Sequence, residues 1–305
     1  MIKYIKNSRF IAIVYAMFLS GFIQPTFAED EVSKRASGDW YKVSQISDNT
    51  YMIEEPQSSQ YNISYLIIGS EKALMLDTGS GENKNKSKQT ISTVIKSLTD
   101  KPITLLMTHF HFDHNANIEE FDNIAFANIK DIRDKAIDDK TYYFSSKELA
   151  FGSYPEKTTV HEWIDLDTNI DLGSRIIKIS RVRGHTDDSI IVIDESRELV
   201  FTGDTLYNGP LIVFGKENYD PYINTINIMK ENFNDSFSFY GAHGDSNLGG
   251  GMNYSLLNKV ESLLRCAKIN TCEHTEKISE TLSGHLLNGD FFLNDGVSLI
   301  ILDTH

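Results

Sequence analysis

Thr108-His109-Phe110-His111-Phe112-Asp113-His114 is the stretch on which the reading of this chain turns. Three histidines and a carboxylate fall between positions 109 and 114. His109 and His111 are two apart, so at an extended strand end both side chains point the same way. Asp113 and His114 follow where the chain is expected to turn. One short segment thus offers imidazoles and a carboxylate to two neighbouring metal ions. That donor mix suits zinc best, with iron or manganese as other options.

Residues 103–107, just before the heptad, are a buried-type apolar run that predicts a strand ending at the histidines. Working outward, Val43, Ile46, Tyr51 and Ile53 are spaced as a first hairpin, residues 62–68 and 73–76 read as strands, and the second of these ends at Asp77-Thr78-Gly79. Ile91, Val94, Ile95 and Leu98 share one helical face. Further strands are expected at 124–127, 176–182, 190–193, 199–202, 237–240 and 297–302, and helices at 129–150, 253–268 and near 274–287. Two successive blocks of strands followed by helices predict two sheets packed face to face with helices outside, strand ends converging on one edge.

The composition bounds the function. A chain of 305 residues with 40% hydrophobic content holds one large core or two small ones. A formal charge of −14 argues against nucleic-acid backbones as partners and leaves a small-molecule substrate as the expectation. Residues 1–28 read as an export signal: Lys3, Lys6 and Arg9 form a basic start, residues 10–23 are mostly apolar, and Thr26-Phe27-Ala28 is a small-residue cleavage site. The alternative is an uncleaved anchor, but the apolar run is short for a span needing ~20 residues. Cleavage would leave residues 29–305, without a membrane span, at about −17 and in the periplasm or outside the cell. In such a compartment Cys266 and Cys272 can pair, though two buried free thiols fit the sequence equally.

Three more strand ends carry metal-competent side chains beside glycine or threonine: Gly184-His185-Thr186, Gly203-Asp204-Thr205 and Ala242-His243-Gly244. Any one of them alone is ordinary. Together with the heptad and Asp77-Thr78-Gly79, in this order and spacing over residues 40–302, they resemble the metallo-β-lactamase superfamily. The resemblance implies an α+β fold, the αβ/βα four-layer sandwich, over residues 29–305. It implies two metal ions, most simply Zn2+. His109, His111 and His185 would hold the first, Asp113, His114 and His243 the second, and Asp204 would bridge them. Two cations ~3.5–4 Å apart share one hydroxide and neutralise a tetrahedral oxyanion. Asp113 would also steer a proton. Asp77 would orient a ligand imidazole through its other nitrogen.

Tyr207 stands three residues after Asp204. In lactonases of this superfamily a tyrosine so placed donates to the substrate. The other reading is an aromatic wall, and the sequence favours neither. Residues 211–214 are either a substrate-facing lip or core, and residues 142–154 are either a lid or core. His161, His274, His285 and His305 lack a ligand-like context, and Trp40 and Trp163 read as core anchors. Asp187-Asp188 replaces the Pro-Gly found in many relatives and is expected to add negative charge near the substrate. The chain after His243 is too short for the helical glutathione-binding domain of hydroxyacylglutathione hydrolases.

The implied activity is an exported binuclear zinc hydrolase acting on an ester, thioester or lactone carbonyl. A periplasmic β-lactamase is the alternative, weakened because many such enzymes place a cysteine where Asp204 stands. A mononuclear iron persulfide dioxygenase is a third reading. Oligomeric state is not legible.

Overall fold

Alternating apolar and polar residues in β1 (Lys42–Ser47) meet the fully buried β2 (Thr50–Glu55) in an antiparallel hairpin. The computed structural model describes residues 31–150, 152–244, 251–282 and 285–303; the expected export segment and His305 lie outside them. A short helix α1 (Glu31–Ala36) precedes the hairpin. The strands β3 (Asn62–Ile68) and β4 (Ala73–Leu76) continue antiparallel. From β4 the chain crosses through α2 (Ile91–Leu98), capped at Thr90, to the parallel strand β5 (Ile103–Leu106). A single turn, α3 (Phe112–Asn115), then leads to β6 (Ile124–Ala127). After α4 (Lys130–Arg133) and a small ribbon of β7 (Thr141–Tyr143) with β8 (Lys157–Thr159), β9 (Glu162–Ile164) completes a seven-stranded sheet ordered β1-β2-β3-β4-β5-β6-β9.

The second sheet has five strands: β10 (Asn169–Asp171), β11 (Ile176–Arg181), β12 (Ile190–Asp194) and β13 (Leu199–Gly203) run antiparallel in turn. Beyond β14 (Leu211–Phe214) and α5 (Tyr219–Asn232), β15 (Ser238–Gly241) adds parallel to β13. The rest of the chain is α6 (Ser255–Lys268), β16 (His274–Leu282), β17 (His285–Asn294) and β18 (Val297–Leu302). A four-stranded sheet in the order β14-β18-β17-β16 results.

Side-chain alternation in the second sheet shows the layering. Ile190, Val192, Leu199 and Phe201 point into one core with the first sheet and α2, whereas Ile191, Ile193 and Val200 point into another with α5, α6 and β18. The sheet is thus covered on both faces, which is the αβ/βα sandwich expected from the sequence.

Two helical expectations fail. Within 129–150 only α4 is helical; Asp138 and Asp139 adopt left-handed φ of 53° and 59°, and Tyr142 and Phe144 are drawn into the first core. Helix 274–287 is instead β16 and the start of β17. The i, i+4 spacing of Ile278 and Leu282 mimics a helix, but pairing beside the apolar β17 overrides it. Trp40 is buried as expected, while Trp163 is only half-buried, its indole donating to the Asp139 carbonyl. Cys266 and Cys272 are disulfide-bonded.

Glu55, at the end of β2, lies under the Asp77–Ser80 turn. One of its oxygens, Oε2, accepts from the Ser80 backbone N–H (3.0 Å) and hydroxyl (2.6 Å). Burial raises its carboxyl to about 7, against the opposing pull of the bonds from Ser80 and Trp40. The folded state therefore holds a proton that the unfolded chain releases near 4.5. Its contribution is full below that value and is lost as pH rises towards about 7. The difference is about 3 kcal/mol. Urea unfolding across pH 4–8 should show Glu55→Gln losing less stability over this window than the parent; equal slopes would refute the assignment.

Candidate metal centre

The site lies where the ends of β4, β5, β13 and β15 meet the β11–β12 turn. β5 delivers His109 and His111 on one side of the chain. Phe110, between them, turns away into the core, its ring 4.6 Å from that of Phe126. The chain then enters α3, whose first turn brings Asp113 and His114 round to the same side. Side chains pin this backbone throughout. Thr108 N–H donates to Asp77 Oδ1 (2.7 Å), Phe110 N–H to Asp188 Oδ2 (2.7 Å), and Asn115 Nδ2 to the Phe110 carbonyl (2.8 Å). Gly203 permits the close approach of β13, since a Cβ there would lie 2.8 Å from Thr108 Oγ1 and its φ is 51°.

The hydrogen bonds determine which nitrogen of each imidazole faces inward. Nδ1 of His185 lies 2.7 Å from the Ile212 carbonyl oxygen, and Nδ1 of His243 lies 3.0 Å from that of Gln60. A carbonyl only accepts, so both Nδ1 atoms carry hydrogen and both Nε2 atoms point into the site. His114 donates Nδ1–H to Asp77 Oδ2 (3.2 Å). For His109 the relay is longer. Thr108 Oγ1 gives its hydrogen to Asp77 Oδ2 (2.7 Å), so it accepts from His109 Nδ1 (3.2 Å). His111 is the exception, presenting Nδ1, 3.0 Å from His185 Nε2.

Two ligand groups result: His109, His111, His185 and Asp204, and Asp113, His114 and His243, with potential ligand atoms in each group within 4.8 Å of one another. Asp204 touches both. Its Oδ2 is 3.3 Å from His185 Nε2 and 3.2 Å from His243 Nε2, and its Oδ1 is 3.5 Å from His114 Nε2. His109 Nε2, His114 Nε2 and Asp204 Oδ1 are buried and without hydrogen-bond partners, and all belong to this cluster. Buried polar atoms are normally satisfied. Inward lone pairs that converge on a carboxylate and lack donors are what a divalent cation satisfies, so the residues fit a metal.

Burial, and then the neighbouring imidazoles, push His109 and His111 well below the usual histidine range, and burial also lowers His185. These rings are neutral, as ligation requires. Burial opposes charge on His114 and His243 too, but Asp204 and Asp113 outweigh it and both are raised. Burial likewise opposes ionisation of Asp204, yet His243, His114 and His109 hold it far below the ordinary carboxylate range.

The structure thus brings together His109, His111, Asp113, His114, His185, Asp204 and His243, with Asp77 behind them. Tyr207 is buried, its hydroxyl donates to the Pro210 carbonyl, and its ring packs 5.2 Å from that of His243. Residues 211–214 divide by alternation. Leu211 and Val213 are core, while Phe214 lies 5.3 Å from the His111 ring and 5.9 Å from that of His185. The 142–154 segment is anchored by buried Tyr142, Phe144 and Leu149, with Tyr143 and Tyr154 exposed.

The expectation of two extra charges beside the substrate is corrected. Asp188 is buried and holds the Phe110 N–H, with burial raising its carboxyl to about 6, and the exposed Asp187 pairs with Arg183 (3.0 Å). Sequence reasoning missed Gln60 and Asn62, and gave Thr108, Asp188 and Phe214 none of the contacts they make here. None is unusual in type for its position, and their roles come from contacts distant in sequence.

A family model described as the metallo-beta-lactamase superfamily matches residues 61–242, and the chain belongs to that superfamily as a metal-dependent hydrolase. It is similar to the acyl-coenzyme A thioesterase MBLAC2 of Bos taurus and to that of Homo sapiens. Each is 25% identical over 197 residues, which cover 57% of this chain and 69% of the relative. Among solved structures it resembles a metallo-beta-lactamase from Pontibacter korlensis (TM-score 0.55, 17% identity, 74% of this chain and 99% of that one). It also resembles the metallo-beta-lactamase FIM-1 from Pseudomonas aeruginosa in its mono-zinc form (TM-score 0.54, 15% identity, 75% and 97%). These two likenesses concern the fold. Among the described residues no helix is long and apolar enough to cross a membrane.

Proposed function

We propose that the protein is an exported hydrolase that uses two zinc ions to cleave an acyl thioester. The observation that carries the reading is the position of Asp204, whose two oxygens reach both ligand groups. Similarity to proteins named acyl-coenzyme A thioesterases supports a thioester within the class of ester, thioester or lactone carbonyls. Two divalent ions, when bound, supply Lewis acidity that ionises water near neutral pH and polarises the carbonyl oxygen. The chain's own part is to hold ligands and exclude solvent. His109, His114, His185 and His243 keep Nε2 directed inward because each Nδ1–H is already donated. Asp204 supplies a shared negative charge, and Phe214 and Tyr207 wall the outer imidazoles with aromatic carbon.

Export rests on the character of residues 1–28, and the Cys266–Cys272 disulfide fits an oxidising compartment. Thiol release from acyl-coenzyme A and from acyl-N-acetylcysteamine tests the activity, with nitrocefin and a lactone as comparisons. The second substrate lacks the phosphates that a chain at −14 would repel. Turnover of nitrocefin without either thioester would instead favour a β-lactamase.

A further inference from the structure

The two ligand groups are held by different parts of the chain. In the first, His109 leans on Thr108 and His185 on the Ile212 carbonyl of β14. In the second, two of the three residues are held by the loop between β2 and β3. Gln60 bonds both of them: its Nε2 donates to Asp113 Oδ2 (3.0 Å), and its carbonyl accepts from His243 Nδ1 (3.0 Å). Asn62 Nδ2 donates to the same Oδ2 (3.0 Å) and to the Asp113 carbonyl (3.0 Å). The loop is itself braced. Ser58 Oγ donates to Asn62 Oδ1 (2.9 Å), Ser59 N–H donates to Glu82 (2.8 Å), and Tyr61 reaches Glu54 (3.1 Å). Asn62 also pairs with His243 in an antiparallel bridge, next to the bond from Ile63 N–H to the Ala242 carbonyl (2.8 Å). The bonds that Gln60 and Asn62 make to the site go to Asp113 and His243.

We propose that Gln60 and Asn62 are positioning residues for the second metal ion alone. By fixing the Asp113 carboxylate and the His243 ring they set how tightly that ion is retained, and they leave the first ion's site unchanged. The inference rests on the two-ion reading above. Outer partners of this kind affect metal affinity by ~10–100-fold when removed. The asymmetry is what separates this role from a general structural one, because loosening the fold would weaken both sites alike.

The test is equilibrium dialysis against zinc with elemental analysis, together with a cobalt titration followed by visible absorption, on the parent, Gln60→Met and Asn62→Ala. The parent should bind two equivalents. Both variants should bind the first as the parent does and the second ~10–100-fold more weakly. Circular dichroism and thermal unfolding of the metal-free proteins establish that the variants are folded. Asn62 is buried, so if Asn62→Ala does not fold, the half-buried Gln60→Met decides the matter. A folded Gln60→Met that keeps both equivalents at parental affinity, or weakens both equally, overturns the inference and leaves the two-ion reading intact. A parent that binds one equivalent overturns the two-ion reading, and this inference with it.

Discussion

Asp204→Ala should lower metal-supported hydrolysis by about 10³-fold or more, equivalent to roughly 4 kcal/mol of transition-state stabilisation, while the chain still folds. On the proposed two-ion reading the carboxylate serves both ligand groups, since its oxygens approach nitrogens of each, so its loss weakens both metal positions at once. It also removes the largest upward influence on His114 and His243, leaving Asp113 to oppose burial there. The fold survives because Asp204 lies beyond the last core residues of β13 and makes its contacts to the site histidines rather than to the sheets. Steady-state rates with metal content measured on the same samples check this. Parental rates in Asp204→Ala with two ions bound would show that the bridging position has no part in the reaction.

Arg175→Met should cost stability rather than chemistry, by about 3–5 kcal/mol. The guanidinium is buried in the turn before β11. It donates through Nε to Asp194 (2.8 Å), whose carboxylate also lies 2.7 Å from Nη2, through Nη1 to the Asn49 and Ile68 carbonyls (2.8 and 3.1 Å), and through Nη2 to Thr50 Oγ1 (2.7 Å). Asn49, Thr50 and Ile68 belong to the first sheet's turns and strands, and Asp194 to the second sheet, so one side chain ties the two layers. Removing it leaves the buried Asp194 carboxylate with the Ser196 hydroxyl (2.6 Å) and the more distant Arg197 (3.6 Å) as its remaining partners, and a weakly compensated internal carboxylate is the costly half of breaking an ion pair. The double variant Arg175→Met/Asp194→Leu should therefore recover part of the loss. Urea denaturation gives both values. A single variant within about 0.5 kcal/mol of the parent, the range of an ordinary surface change, would contradict this account.

The parts of the molecule that were legible in sequence are those written locally. Each ligand follows an apolar run and precedes a turn, so the heptad, His185, Asp204 and His243 could be placed at strand ends before any contact was known. The supports of the site were not legible. Gln60, in a polar loop, and Asn62, at the start of β3, are amides about fifty positions before Asp113, and nothing local marks them. Asp188 was read as charge facing the substrate, but the Phe110 N–H captures it. The sequence favours neither role for Tyr207, and nothing local announces that its hydroxyl donates to the Pro210 carbonyl. The third sheet was hidden because β14 pairs with β18, far along the chain, and because β16 carries its few apolar residues at helical spacing. Long-range pairing of this kind leaves little trace in local periodicity.

The central claim is that the two ligand groups hold metal ions that serve thioester hydrolysis. Its most direct test is thiol release from acyl-N-acetylcysteamine and acyl-coenzyme A by one preparation of the full chain, assayed as zinc-loaded, chelator-stripped and zinc-restored protein. The account predicts turnover in the loaded protein, loss on stripping and recovery on restoration. A zinc-loaded protein, folded and carrying two equivalents, that releases no thiol from either substrate would contradict it.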